Sequence, residues 1–288
     1  MKAHLTILAT SLPFITLASD LKPGTNLVKL NHDGHPREIL VRLPDNHEST
    51  KKYPVVFGFH GAGGPKEGYH RLLERLVSQH DFISVSPQGI SNKRGITGWN
   101  GFSGHRISNT DDVGMVRKCI DHLDKTTSID KSRLFATGGS SGAIFCFRLA
   151  METDLFAAIA PMRGAMINRP PPPQARPHIS ILLVCGADDP LFKGGEQAPG
   201  EVFYSAHDSM RAWARNHGNH KVVRPHPQSG GVKLTHFSPE KSDYELLLYA
   251  VGGSGHRLGR KHMTKAIDYM GEFFLRHSKK RAAAPPSK

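Results

Sequence analysis

Along the 288-residue chain, apolar positions alternate between a two-residue period and a helical one. Asn26 to Asn31 and Arg37 to Leu43 alternate or run apolar on either side of His32, Asp33 and Gly34, which predicts an antiparallel hairpin. Tyr53 to His60 is a short β-rich run that ends in Gly61, Ala62, Gly63 and Gly64. A helix is then expected over Tyr69 to Gln79, a strand over Phe82 to Ser86, and a long Gly/Asn/Ser loop from Gln88 to Asn109. A helix over Asp111 to Thr126 and a strand over Arg133 to Thr137 follow. Past a glycine-serine turn come a helix (Ala143 to Met151), a strand (Ala157 to Pro161), a proline-rich connection (Arg169 to Pro177) and a strand (Ile179 to Cys185). Glu201 to His217 reads as helix, Lys221 to Arg224 and Tyr244 to Val251 as strands, and Lys261 to His277 as a closing amphipathic helix. Strands alternating with helices in this way predict an α/β fold, a mostly parallel central sheet with helices on both faces. One catalytic-size domain, residues 19–278, accommodates the whole pattern.

Composition changes the picture at the two ends. Residues 1–18 combine a basic start at Lys2, an apolar stretch from Leu5 to Leu17, and small residues Thr16 and Ala18 placed as in a cleavage site. A secretory signal cut near Ser19 is expected, and with it a secreted or periplasmic location. Residues 279–288 open with Lys279, Lys280 and Arg281 and run into Ala, Pro and Ser, the composition of a disordered tail. The formal charge is +13, but the basic residues are scattered elsewhere, so specific nucleic-acid binding is not expected. No later apolar run approaches the ~20 residues of a membrane span. Three cysteines are too few for a disulfide framework; Cys119 and Cys146, on neighbouring predicted helices, are the pair placed to bridge. Among the 18 histidines, His217, His220 and His226 are close in sequence but lack a carboxylate at fixed spacing, so neither a metal nor a cofactor is expected.

Chemistry enters at Gly138-Gly139-Ser140-Ser141-Gly142, a G-x-S-x-G elbow between a strand and a helix. Small flanking residues are needed because the serine sits on a sharp turn packed against both elements. A serine hydroxyl needs an imidazole to take its proton, and the imidazole needs a carboxylate to orient it. Downstream, the strand ending at Cys185 runs into Gly186-Ala187-Asp188-Asp189-Pro190, two carboxylates at the carboxyl edge of the sheet. The last strand runs into Gly252-Gly253-Ser254-Gly255-His256, a histidine on a glycine loop. The loop His60-Gly61-Ala62-Gly63-Gly64 matches a backbone oxyanion site, with the N–H groups of Ala62 and Ser141 as donors. Trp99 is the candidate aromatic of the substrate pocket, and Asp111 and Asp112 read as caps of the helix they open.

Together with Gly98-Trp99-Asn100 and Asp111-Asp112-Val113-Gly114, these motifs resemble the polyhydroxybutyrate depolymerase and feruloyl esterase group of the α/β-hydrolase superfamily. The resemblance covers nearly all of the chain after the signal. It implies an α/β-hydrolase fold and a serine esterase with Ser140 as nucleophile, His256 as base and Asp189, before Pro190, as acid. It also implies an ester substrate, with plant-wall esters and hydroxyalkanoate oligomers as the candidate partners. Where the group often has Trp-Pro after its histidine, this chain has Arg257 and Leu258. The competing readings are a serine peptidase on the same scaffold and a non-catalytic polysaccharide-binding protein. The sequence leaves open whether residues 191–200 form a lid.

Overall fold

A computed structural model describes residues 21–101, 107–167, 179–218, 225–227, 230–239 and 241–279. The signal segment (1–18), the proline-rich connection (169–177), the strand expected at 221–224 and the tail beyond Lys279 lie outside the described residues.

The chain opens as expected, with β1 (Gly24–His32) and β2 (His35–Leu43) paired antiparallel around a tight turn. Then come β3 (Tyr53–Phe59), α1 (Lys66–His80), β4 (Ile83–Pro87), and the short antiparallel pair β5 (Ile90–Ser91) and β6 (Thr97–Gly98). The middle of the chain supplies α2 (Asp112–Thr126), β7 (Ile129–Gly139), α3 (Ser141–Glu152), β8 (Ala158–Met162) and β9 (Ser180–Gly186). The last third supplies α4 (Pro190–Lys193), β10 (Gly195–Ala198), β11 (Glu201–Phe203), α5 (Ala206–Asn216), β12 (Pro225–Pro227), β13 (Val232–His236), β14 (Leu246–Val251) and α6 (Arg260–Leu275). Among the described residues one 10-stranded sheet runs β1-β2-β4-β3-β7-β8-β9-β14-β13-β12. From β4 to β14 the pairs are parallel, and both flanks are antiparallel. The parallel strands β3, β8 and β9 are buried along their whole length, as continuous apolar runs must be when helices cover both faces. One apolar layer joins α2, α3 and α5 to the sheet, and the other joins α1 and α6.

Several short elements are additions to the expected pattern, and two differences reshape the last third of the chain. The helix expected from Glu201 starts only at Ala206, because Ser205 caps it: its hydroxyl accepts from Asp208 N–H at 3.0 Å and donates to the Asp208 carboxylate at 2.6 Å. Glu201–Phe203 instead pairs with β10. β13 gave only a brief signal, Val232 and Leu234 facing in with Lys233 exposed between them.

Asp111 caps α2 through Gly114 N–H at 2.8 Å. Asp112 does not cap; it is fully buried and pairs with Arg37 Nη2 at 2.7 Å. The same carboxylate accepts from Asn100 N–H (2.6 Å) and from the Ser108 hydroxyl (3.0 Å), which ties β2, α2 and the long loop together. Cys119, Cys146 and Cys185 are all buried free thiols, so the bridge considered between Cys119 and Cys146 is not formed. Burial pushes the Cys119 and Cys185 thiols up to about 12, out of the range of reactive cysteines.

At the end of α6, His277 is buried against Phe273 and shares a hydrogen bond of 3.2 Å with the Ser180 hydroxyl. Burial lowers its pKa from 6.5 to about 4, against the opposing pull of Glu245. Between those values the unfolded chain binds a proton that the folded chain refuses, so stability is full above 6.5 and falls as pH drops toward 4. Urea denaturation at pH 7 and pH 5 should show a loss of about 2 kcal/mol from this group, absent in His277→Gln. An equal pH slope in the variant would count against this assignment.

Candidate active site

The elbow is built where three backbones meet. Ser140 has φ 54° and ψ −117°, a strained geometry for a residue with a side chain. Its N–H donates to Met162 O at 3.1 Å and its carbonyl accepts from Ala143 N–H at 2.9 Å. A Cβ on Gly142 would lie 2.2 Å from Phe59 O, and one on Gly138 would lie 2.4 Å from Gly142 O. No other residue fits at either position without moving β3 or α3.

The turn after β9 and the loop after β14 supply the two other expected groups. Asp189 is 1% exposed, and one carboxylate oxygen accepts from Leu191 N–H at 3.0 Å. The other lies 2.8 Å from His256 Nδ1. Asp188 is exposed, with its N–H donating to Ser254 O at 2.9 Å, so only Asp189 of the two neighbouring carboxylates faces the histidine. His256 keeps 42% of its side chain exposed. Ser140, Asp189 and His256 line one cavity of about 300 Å³, closed on its apolar side by Ile144, Leu191 and Phe203. Residues 191–200 contribute Leu191 and Gln197 to this wall, and β10 is held there by its pairing with β11.

The glycine loop after β3 is held by a neutral histidine. His60 is 2% exposed, and burial lowers its pKa. Its Nε2 accepts from Gly89 N–H at 2.9 Å, so the proton sits on Nδ1, which donates to Gly61 O at 2.8 Å. The turn closes through Gly64 N–H to Gly61 O (2.9 Å) and is pinned by Gly63 N–H to Thr97 O (2.8 Å). Ala62 N–H takes no partner among the described residues. Ser141 is the first residue of α3, where an N–H has no acceptor within the helix.

Trp99 is not a wall of the cavity. It is 1% exposed, stacks on Phe145 at 5.4 Å, and donates its indole N–H to His60 O at 2.8 Å. An aromatic flanked by Gly98 and Asn100 in a polar loop looks like a surface contact in sequence; the apolar site it fills, between β3 and α3, exists only once the sheet forms.

No protein-family model matches the chain. A probable feruloyl esterase C of Aspergillus niger is 25% identical over 262 residues, covering 85% of this chain and 86% of the relative. Feruloyl esterase C of Emericella nidulans is 25% identical, covering 83% and 84%. Among solved structures, an acetyl xylan esterase from Aspergillus awamori superposes with TM-score 0.63 at 16% identity, covering 87% of this chain and 99% of that one. The chain has the α/β-hydrolase fold and is similar in sequence to the feruloyl esterases; it is a carboxylic ester hydrolase.

In this esterase the sequence motifs missed the part played by His60 and the cavity residues Ile144 and Phe203. The histidine was visible as part of the glycine loop, but its bond to Gly89 joins positions far apart in sequence. Among the described residues no cluster of His, Cys, Asp and Glu has the arrangement to hold a metal ion, and no helix is long and apolar enough to cross a membrane.

Trp99→Phe removes the donor to a buried carbonyl while preserving the ring, which should cost about 1–3 kcal/mol of stability. Because the bond ends on the glycine loop and not in the cavity, kcat should fall about tenfold with little change in KM. Thermal melts and steady-state kinetics on two esters of different acyl length check this; a KM change that depends on acyl length would return Trp99 to the pocket.

Proposed function

We propose that the protein is an exported serine esterase that cleaves soluble esters or oligoesters through an acyl-enzyme on Ser140. The observation that carries this reading is the 2.8 Å bond from His256 Nδ1 to buried Asp189 at the wall of a cavity that Ser140 also lines. Asp189 holds the proton on Nδ1 and leaves Nε2 as the acceptor for the serine hydroxyl. Ser140 attacks the ester carbonyl, and the negative charge that develops on its oxygen is received by the N–H groups of Ala62 and Ser141. Collapse expels the alcohol, which takes the proton from His256; water, activated by the same imidazole, then releases the acid. Since the hydrogen bonds to His60 hold the glycine loop before substrate arrives, the oxyanion donors need no reorganisation during the reaction.

The apolar side of the cavity suits a hydrocarbon or aromatic acyl group. The fungal relatives named as feruloyl esterases support a hydroxycinnamoyl ester as one candidate, and the motif resemblance supports hydroxyalkanoate oligomers as the other. The N-terminal pattern of residues 1–18 supports export, which would bring the enzyme to such extracellular esters.

Purified protein should hydrolyse p-nitrophenyl acyl esters, methyl ferulate or soluble hydroxybutyrate oligomers. Ser140→Ala should lower kcat by at least about 10³-fold and Asp189→Asn by about 10⁴-fold, with melting temperatures near that of the wild type. Folded Ser140→Ala that retains wild-type turnover would refute the assignment.

A further inference from the structure

Ser140, Asp189 and His256 account for the catalytic chemistry of the cavity, and Ile144, Leu191 and Phe203 for its apolar wall. Gln197 and Glu201 are the polar lining groups that the proposed mechanism leaves unused. Both come from the hairpin of β10 and β11. That hairpin is tied to the body of the molecule where it ends: Tyr204 N–H donates to Met166 O at 2.9 Å, and Phe203 bridges to Ile167 and packs with Ile144 and Ala165. Its turn is closed by Gly200 N–H, which donates to the Glu196 carboxylate at 2.9 Å. A side chain carried on a strand held in this way has a defined place relative to Ser140.

Successive side chains of a strand point to opposite faces, so Glu201 and Phe203 share one face of β11 while Val202, between them, is exposed on the other. Phe203 is buried at the apolar wall; Glu201 is half-buried and lines the same cavity. Gln197 is exposed, and its side-chain N–H donates to Gly194 O at 3.0 Å. Glu201 is therefore the group best placed to act on what the cavity holds. A carboxylate accepts at about four lone-pair sites, so an interaction with one neighbour leaves others for a ligand donor. A purely hydrocarbon acyl group would displace water from that carboxylate and return no hydrogen bond, whereas a hydroxyl would replace the bond that is lost.

We propose that Glu201 is a specificity residue that accepts a hydrogen bond from a hydroxyl on the acyl group, so that the esterase favours hydroxyl-bearing acyl esters over their hydrocarbon counterparts. This rests on Ser140 being the nucleophile and on the cavity taking the acyl portion. A volume of about 300 Å³ is at the small end of ligand pockets, which suits a single acyl group and not a length of polymer. Short hydroxyalkanoyl and longer hydroxyphenyl acyl groups share the donor and differ in how far it lies from the ester carbonyl, so the length that responds to Glu201 distinguishes them.

The test measures kcat/KM for two pairs of p-nitrophenyl esters, 3-hydroxybutyrate against butyrate and 3-(4-hydroxyphenyl)propanoate against 3-phenylpropanoate, with spontaneous hydrolysis subtracted. In the wild type at least one pair should favour the hydroxyl-bearing ester by about tenfold or more. That ratio should fall to near one in Glu201→Leu and stay raised by about threefold in Glu201→Gln, which keeps an acceptor oxygen. Comparing each ratio between wild type and variant cancels the intrinsic reactivity of the esters. Wild-type ratios near one in both pairs overturn the proposal, as does a ratio that survives in folded Glu201→Leu because all four esters slow in parallel, the mark of a purely structural role. If that variant does not fold, an unchanged ratio in Glu201→Gln overturns it instead. Ser140-dependent hydrolysis of p-nitrophenyl butyrate separates the two levels. With it intact, absence of the ratio defeats only the role of Glu201; without hydrolysis of any of the four esters, the nucleophile assignment itself fails.

Discussion

The backbone contact between Gly142 and Phe59 O is the constraint on which the site depends. It brings β3, β7 and α3 together so closely that a single Cβ would separate them. The closeness fixes the strained conformation of Ser140 and sets the first N–H of α3 beside the glycine loop that follows β3. The strain at Ser140 is of order 1–3 kcal/mol, small against the apolar burial that α3 gains on the sheet, so the surrounding structure can impose it. A serine held this way is oriented by the scaffold and not by its own side-chain contacts.

Around that contact the molecule separates rigid support from access. The glycine loop is braced from below by a neutral His60, whose two ring nitrogens are both engaged, and by the Trp99 indole. Trp99 is in turn part of the loop that the buried Arg37–Asp112 pair ties to α2. A buried ion pair is weak evidence of stability by itself, but breaking one side of it leaves an uncompensated charge. Its effect here is to give one position to a loop that has little regular structure of its own. His256, by contrast, stays partly exposed on a glycine loop, and its Nδ1 is the atom that buried Asp189 holds. In the proposed mechanism, the part that exchanges protons with substrate and water is the open one.

The surroundings on the two sides of the serine turn differ in chemistry. Ile144, Leu191 and Phe203 give one side an apolar wall, and on the other Arg163 and Tyr69 bring a positive charge and a phenol to the residue before the serine. An apolar wall of this kind is one means by which a scaffold shared by many enzymes chooses among esters.

Much of this was legible in the sequence. The hairpin turn, the continuous apolar strands, the period of the helices and the glycine elbow all follow from forces between residues a few positions apart. The order serine, acid, histidine along the chain is likewise a property of sequence. Local patterns could not decide between Asp188 and Asp189, neighbours that differ only in which one turns toward the histidine. Nor could they show that Trp99 fills the core, that Asp112 meets Arg37, or that Glu201–Phe203 pairs as a strand. Arg163 and Tyr69, well apart in the chain, belong to one place only because β8 and α1 pack against the same turn. Backbone propensity and glycine sterics act locally and are written in the sequence; burial, charge pairing and the facing of side chains depend on partners that only the folded chain brings within reach.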